Sequence, residues 1–292
     1  MRVFVTGGTG FVGRAVVTEL LRRGHEVRLL VRSRGRRAPP GVEAVEGDIL
    51  DLDSLRQGIS GCDAVIHLVG IIRERSGSGF EEIHVRGTAH VVETAMQARV
   101  GRFLHMSALG TRMGARSRYH RTKWEGEEIV RRAGMPYGIY RPSVIFGPED
   151  EFVNLLARII RRFPVLFLPG RGTGRIQPVA VEDVAEAFAR GLEREDNFVL
   201  ELGGERVFTL EELCREIMFA LSLQRPIVHI PEGLLRPFLA LGEALRLPLP
   251  LTRDQLIMLS EDNVCDPGPL REFLGRRPRD FATAIRSYLQ SP

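Results

Sequence analysis

Residues 3–13 read Val-Phe-Val-Thr-Gly-Gly-Thr-Gly-Phe-Val-Gly, and no other stretch of the 292-residue chain restricts its fold as tightly. An apolar run, Val3 to Val5, stops at a glycine-rich turn. Apolar residues then recur every three to four positions in Val12, Ala15, Val16, Leu20 and Leu21. The pattern predicts strand, tight turn, helix. Glycines at 7, 10 and 13 permit a sharp turn, close approach of a pyrophosphate to the backbone, and packing of the helix on the strand. The unpaired N–H groups and positive dipole end of the helix start then face the phosphates. A glycine-rich turn without a ligand fits the same letters, but its place between strand and helix favours a dinucleotide site.

The spacing is G-x-x-G-x-x-G, and with Thr6 it gives TGGTGFVG. This resembles the TGxxGxxG of short-chain dehydrogenases/reductases, especially their extended and atypical branches. The resemblance implies an α/β fold, a Rossmann doubly wound parallel sheet with a smaller C-terminal α+β substrate domain. Residues 1–148 would form the core and 149–292 mainly the cap, with about 176–195 returning to the core, as Gln177–Ala185 does in extended relatives. Gly7, Thr9, Gly10, Phe11, Val12 and Gly13 would then surround the cofactor phosphates.

His25 to Val31 read as the second strand, and Arg32, Ser33 and Arg34 follow. An Asp or Glu about twenty residues past the third glycine would bind the ribose of NAD. Arginine there fits a 2′-phosphate, which favours NADP while leaving NAD open. The same arginines also fit plain solvated loop charges. Val42 to Val45 form a short third strand before Gly47-Asp48-Ile49. The resemblance places Asp48 and Ile49 beside the adenine, although Asp48 fits a plain turn residue equally well. Asp63 to Val69 make the fourth strand, and crevices at the carboxyl ends of parallel strands bind ligands, so Val69 and Gly70 should line the nicotinamide ribose. His67, inside that strand, reads as packed. Ile83 to Val100 carry a helical pattern that Gly87-Thr88 interrupts. Extended relatives place Asn before a similar Gly-Thr, as in NVxGT, where this chain has His84.

The chemistry gathers between residues 102 and 123. Arg102 to Met106 read as a fifth strand, with Ser107 at its carboxyl end and Tyr119-His120-Arg121-Thr122-Lys123 twelve residues later. Tyrosine and lysine four apart share one helix face. A phenol with a pKa near 10 is a poor base at neutral pH, and a nearby ammonium favours its phenolate. Lys123 can do this while donating to the nicotinamide ribose. Ser107 can hold the substrate oxygen, and Tyr119 can supply or take the proton as hydride moves. Y-x-x-x-K alone is a frequent accident, yet this one contains the only lysine of the chain, where arginine serves elsewhere. On the same helix Glu125, Glu127 and Glu128 read as outward. Arg141-Pro142-Ser143-Val144-Ile145-Phe146-Gly147-Pro148 resembles the RPxxVYGP segment of extended members, which implies that Pro142, Ser143 and Val144 approach the nicotinamide.

Composition excludes several other classes. The net charge is +4 with arginines spread along the whole chain, so nucleic acid is not expected. No apolar run of about eighteen residues occurs, so no transmembrane segment is expected. Cys62, Cys214 and Cys265 match no metal spacing and are odd in number, which argues for no metal and a reducing, cytoplasmic location. Only Met1 and Arg2 precede the first strand, so no signal peptide is expected. Leu234 to Leu251, rich in leucine and proline, fits a buried helix, a pocket lid, a partner-facing helix or a membrane-surface contact.

Within the superfamily, HLVGII, RFLHMSALG, the Y-x-x-T-K-W-E segment and RPSVIFGPED are most similar to the nucleotide-binding accessory subunit of mitochondrial complex I and its bacterial relatives. Three functions follow. The first is an NADP-dependent oxidoreductase acting on the carbonyl or hydroxyl of a small molecule that the sequence does not identify. The second is a non-enzymatic NADP(H)-binding protein of a respiratory or membrane complex. The third is a sugar-nucleotide epimerase or dehydratase, against which the short gap from Ser107 to Tyr119 counts.

Overall fold

The computed structural model describes residues 1–32, 39–74, 79–244 and 251–290. The chain divides into two compact units. Met1–Pro142, Val181–Leu202 and Gly268–Arg276 make the first; Ser143–Ala180, Gly203–Pro267 and Arg277–Pro292 make the second.

The first unit runs β1 (Arg2–Thr6), α1 (Phe11–Arg22), β2 (Glu26–Val31), β3 (Val42–Glu46), α2 (Leu52–Ile59), β4 (Ala64–His67), α3 (Gly87–Gln97), β5 (Arg102–Met106), α4 (Arg118–Arg132) and β6 (Tyr137–Pro142). Its sheet has the order Phe198–Leu202, β6, β5, β4, β1, β2, β3, and every pairing is parallel. Val3, Phe4 and Val5 of β1, and all of β4, are buried because a central parallel strand is covered on both faces. That burial explains why these strands read as unbroken apolar runs. The order reverses between β1 and β4, so their carboxyl ends open a crevice at the switch point. Beneath it Phe4, Leu55, Val65, Val91, Phe103, Val130 and Ile139 form one apolar core.

Two expectations fail here. Gly87 does not interrupt a helix: a π-helical turn, Glu81–Arg86, runs straight into α3, with Gly87 at helical dihedrals. A Cβ on Gly87 would lie 2.4 Å from the Ile49 side chain, so the glycine there serves packing. Glu127 is not outward either. It is fully buried on α4 and accepts from Arg141 Nε at 2.8 Å and from Arg131 at 2.6 Å. Two guanidinium groups offset the desolvation that a lone carboxylate could not bear.

In the second unit, helices Phe152–Arg162, Leu210–Ala220 and Phe281–Leu289 share a core of Phe146, Leu156, Ile160, Leu213, Ile217 and Ile285. Three two-stranded ribbons accompany them. Thr209 and Glu212 close the expected capping box, the Glu212 amide donating to the Thr209 hydroxyl at 3.1 Å.

Candidate functional site

At the switch point the glycine loop is shaped by two close approaches. Gly7 has φ +76°, and a Cβ there would lie 3.0 Å from the backbone of Leu68 and Val69. A Cβ on Gly13 would meet the Gly7 carbonyl at 2.2 Å, so only glycine lets α1 start this close to the loop. The Gly10 amide closes the turn on the Gly7 carbonyl at 3.1 Å. Gly10 is also the N-cap of α1; it has no side chain to bond the first-turn amides, and no acidic residue stands in that turn. Those amides and the helix dipole form a cradle for an anion, and this fits the phosphates of a dinucleotide.

The second cluster forms where the carboxyl end of β4 meets α4 and the π-helical turn. Lys123 Nζ donates to the Met106 carbonyl at 2.6 Å. A Cβ on Gly70 would lie 3.3 Å from that nitrogen and 3.7 Å from His84 Nε2, so an ammonium and an imidazole converge on Gly70. Burial lowers the Lys123 pKa to about 8, with Glu127 one turn away opposing the shift. Burial lowers His84 to about 2, helped by the Lys123 charge.

Hydrogen bonds fix the His84 tautomer. The Ile71 amide donates to Nε2 at 3.0 Å, so the proton sits on Nδ1 and is donated to Thr122 Oγ1 at 2.9 Å. The Thr122 hydroxyl in turn reaches the carbonyls of Arg118 and Tyr119, each at 3.1 Å. The His84 ring stacks on Phe80 and meets Tyr119 edge-on, with centroids 5.4 Å apart in both pairs. Burial pushes the Tyr119 phenol up to about 12, and no lowering by Lys123 offsets it. The phenol therefore keeps its proton throughout the physiological range.

Ser107 follows β5, is buried, and directs its hydroxyl to Thr111 Oγ1 at 3.4 Å. His67 bridges Thr6 Oγ1 at 2.7 Å and Thr88 Oγ1 at 3.2 Å, and burial takes its pKa to about 3, so it is a packed neutral residue. The Asp48 carboxylate accepts the Leu50 amide at 3.0 Å, the local turn its sequence allowed, while Ile49 is buried in the core. Arg32 is exposed just past β2, and Ser33 lies outside the described residues. Phe11 and Val12 are half-buried at the start of α1, and the Thr9 carbonyl accepts from Arg14 at 2.9 Å. Pro142 ends β6, whereas Ser143 and Val144 belong to the second unit, where Ser143 donates to Asn263. Among the described residues no cluster could hold a metal ion.

Sequence reasoning noticed His84 only as a departure from Asn and missed Thr122 as its partner. The available signal was chemical, since Thr122 sits beside the solitary lysine, but a bond across 38 positions has no local signature.

Residues 3–203 match the NAD dependent epimerase/dehydratase family. The chain belongs to that family. The family's NAD dependence fits the dinucleotide cradle, and the family and its reductase relatives point to an oxidoreductase-type enzyme. The chain is 28% identical to the mitochondrial NADH-ubiquinone oxidoreductase 40 kDa subunit of Neurospora crassa, over 98% of this chain and 78% of that protein. It is 30% identical to a ceramide reductase of Caulobacter vibrioides, over 79% of this chain and 74% of that one. A dTDP-glucose 4,6-dehydratase of Streptomyces venezuelae, solved with NAD, shares the fold with a TM-score of 0.79 and 22% identity, over 99% of this chain and 96% of that one.

Proposed function

We propose that the chain is an NADP(H)-dependent reductase of a small-molecule carbonyl, or the corresponding alcohol dehydrogenase in reverse, with Tyr119 as the acid. The convergence of Lys123 and His84 on Gly70, with Tyr119 one turn before Lys123 on α4, carries this reading. When bound, the dinucleotide supplies the hydride. First-turn amides of α1, with Gly7, Thr9, Gly10, Phe11, Val12 and Gly13, hold its phosphates. Arg32 and Ser33 take the 2′-phosphate, and Asp48 and Ile49 flank the adenine. Val69 and Gly70 line the nicotinamide ribose, while Lys123, with one of its three donors spent on Met106, directs the others to the ribose hydroxyls. Pro142, at the end of β6, approaches the nicotinamide.

The substrate carbonyl oxygen accepts from Ser107 and takes its proton from Tyr119 as the carbon is reduced. Burial keeps the Tyr119 proton in place at neutral pH, the form that protonates a carbonyl being reduced. The likeness to a protein named as a reductase supports the same direction.

Tyr119→Phe tests this. With NADPH and a panel of ketones, the variant should lose roughly 100-fold or more of its turnover, the share a positioned acid contributes. Its dinucleotide affinity, read by fluorescence titration, should stay within about twofold, because the ring and its packing remain. Turnover equal to wild type would refute the role of Tyr119. Mass spectrometry of the dinucleotide released on denaturation should show NADP, and NAD would overturn the reading of Arg32.

A second reading, a protein that holds NADP(H) within a membrane-associated complex, is favoured by His84 in place of Asn and by the likeness to the 40 kDa subunit. It expects no turnover in wild type or variant.

A further inference from the structure

Rings close around the Tyr119 side chain. Phe80 meets it edge-on with centroids 5.9 Å apart, His84 edge-on at 5.4 Å, and the neighbouring His120 lies at 5.3 Å. Ring contacts orient a side chain loosely, whereas a hydrogen bond weakens steeply once its angle opens. Of these rings, His84 is bonded at both nitrogens to other elements that frame the site. It takes the Ile71 amide on Nε2 at 3.0 Å, and Ile71 follows Gly70. It gives its Nδ1 proton to Thr122 at 2.9 Å, and Thr122 stands between Tyr119 and Lys123 on α4.

The ring that backs the imidazole is tied to the same helix. Phe80, 3% exposed, stacks on His84 with an interplanar angle of 20°. Its amide donates to Glu74 Oε1 at 3.0 Å, and the other oxygen of that carboxylate accepts from Arg118, the first residue of α4, at 2.8 Å. Both ties therefore end within the first two turns of α4, on either side of Tyr119.

Packing alone does not account for a histidine here, because a phenylalanine would stack on Phe80 equally well. What only the imidazole supplies is an acceptor on one edge and a donor on the other. It thereby joins the chain neighbour of Gly70 to the chain neighbour of Lys123. Hydride and proton must meet the two ends of one carbonyl, and a misplacement of about 1 Å can cost roughly 100-fold in rate. We propose that His84, held by Thr122, is a positioning residue for turnover: it fixes the separation between the Gly70 loop and the Tyr119 phenol. The role rests on the reading of Tyr119 as the acid, and it makes His84 a working part of the site where the second reading takes it as a loss.

A double-mutant cycle tests the role. Thr122→Val keeps the shape of the side chain and removes the acceptor for the imidazole N–H. With NADPH and a ketone that wild type reduces, it should lower kcat roughly tenfold while NADPH affinity stays within about twofold. In a Tyr119→Phe background the same substitution should cost less than about twofold, because groups that act as a unit lose function only once. A residue that merely supports the fold lowers both backgrounds by the same factor. Thr122→Ser, which keeps the hydroxyl, should recover most of the loss, and His84→Phe should reproduce it. Circular dichroism at the assay temperature verifies that each variant is folded. Undiminished kcat in Thr122→Val overturns the positioning role and leaves Tyr119 as the acid, as does an equal loss in both backgrounds. A wild type that turns over no ketone overturns the reading of Tyr119 and the positioning role with it.

Discussion

His84 shows what one side chain can organise. Its ring takes the Ile71 amide on one nitrogen and gives a proton to Thr122 on the other, so the loop after β4 and the first turn of α4 are held to the π-helical turn. Replacing it with phenylalanine preserves the stacking on Phe80 but strands the Ile71 amide, while the Thr122 hydroxyl keeps the Arg118 and Tyr119 carbonyls; a group left buried and unsatisfied costs about 1–3 kcal/mol. His84→Phe should therefore lower the urea midpoint markedly, and His84→Gln should recover part of the loss; equal stability of His84→Phe and wild type would show that the bonds contribute nothing net. At this scale the sequence was legible in its spacing, as in the placing of Tyr119 and Lys123 one turn apart on a single helix. It was not legible for Glu127, whose charge read as solvated because its partner Arg141 lies 14 positions away on β6 and meets it only after the sheet has formed.

The element that positions the site is α4, and its approach depends on Gly126. A Cβ there would lie 2.7 Å from the His84 carbonyl, a backbone atom that cannot swing aside. Two effects oppose each other in Gly126→Ala. Helix propensity favours alanine by about 1 kcal/mol, whereas forced overpacking typically costs about 1–3 kcal/mol. Overpacking should win, and because α4 carries Tyr119 and Lys123, dinucleotide affinity should fall together with stability in calorimetry and titration. A variant as stable as wild type with unchanged affinity would show that α4 and the π-helical turn can separate at no cost. The helices and central strands were readable because period and burial coincide in β1, β4 and α1. The π-helical turn was not, since Glu81–Arg86 has no residue pattern distinct from an ordinary helix start.

Across the whole molecule, His67, His84 and His105 set the response to acid. All three are buried and neutral, with pKa values lowered to about 3 for His67, to about 2 for His84, and well below the usual value for His105, in each case chiefly by burial. The unfolded chain binds their protons near pH 6.5 and the folded chain does not, so their contribution is intact above about 6.5 and is lost as pH falls toward the folded values. Each proton contributes a slope of up to about 1.4 kcal/mol per pH unit, about 4 for the three together. Stability should drop by several kcal/mol between pH 7 and pH 5, and a flat profile from denaturant titrations would mean that these rings reach solvent. A different consequence lies in the path of the chain, which passes from one compact unit to the other after Pro142, Ala180, Leu202, Pro267 and Arg276. During synthesis β6 leaves the ribosome with a bare edge, because its neighbour Phe198–Leu202 is still some sixty residues from being made. The nascent sheet waits for its seventh strand with an unpaired backbone edge, the kind of edge that templates pairing with other chains until it is covered.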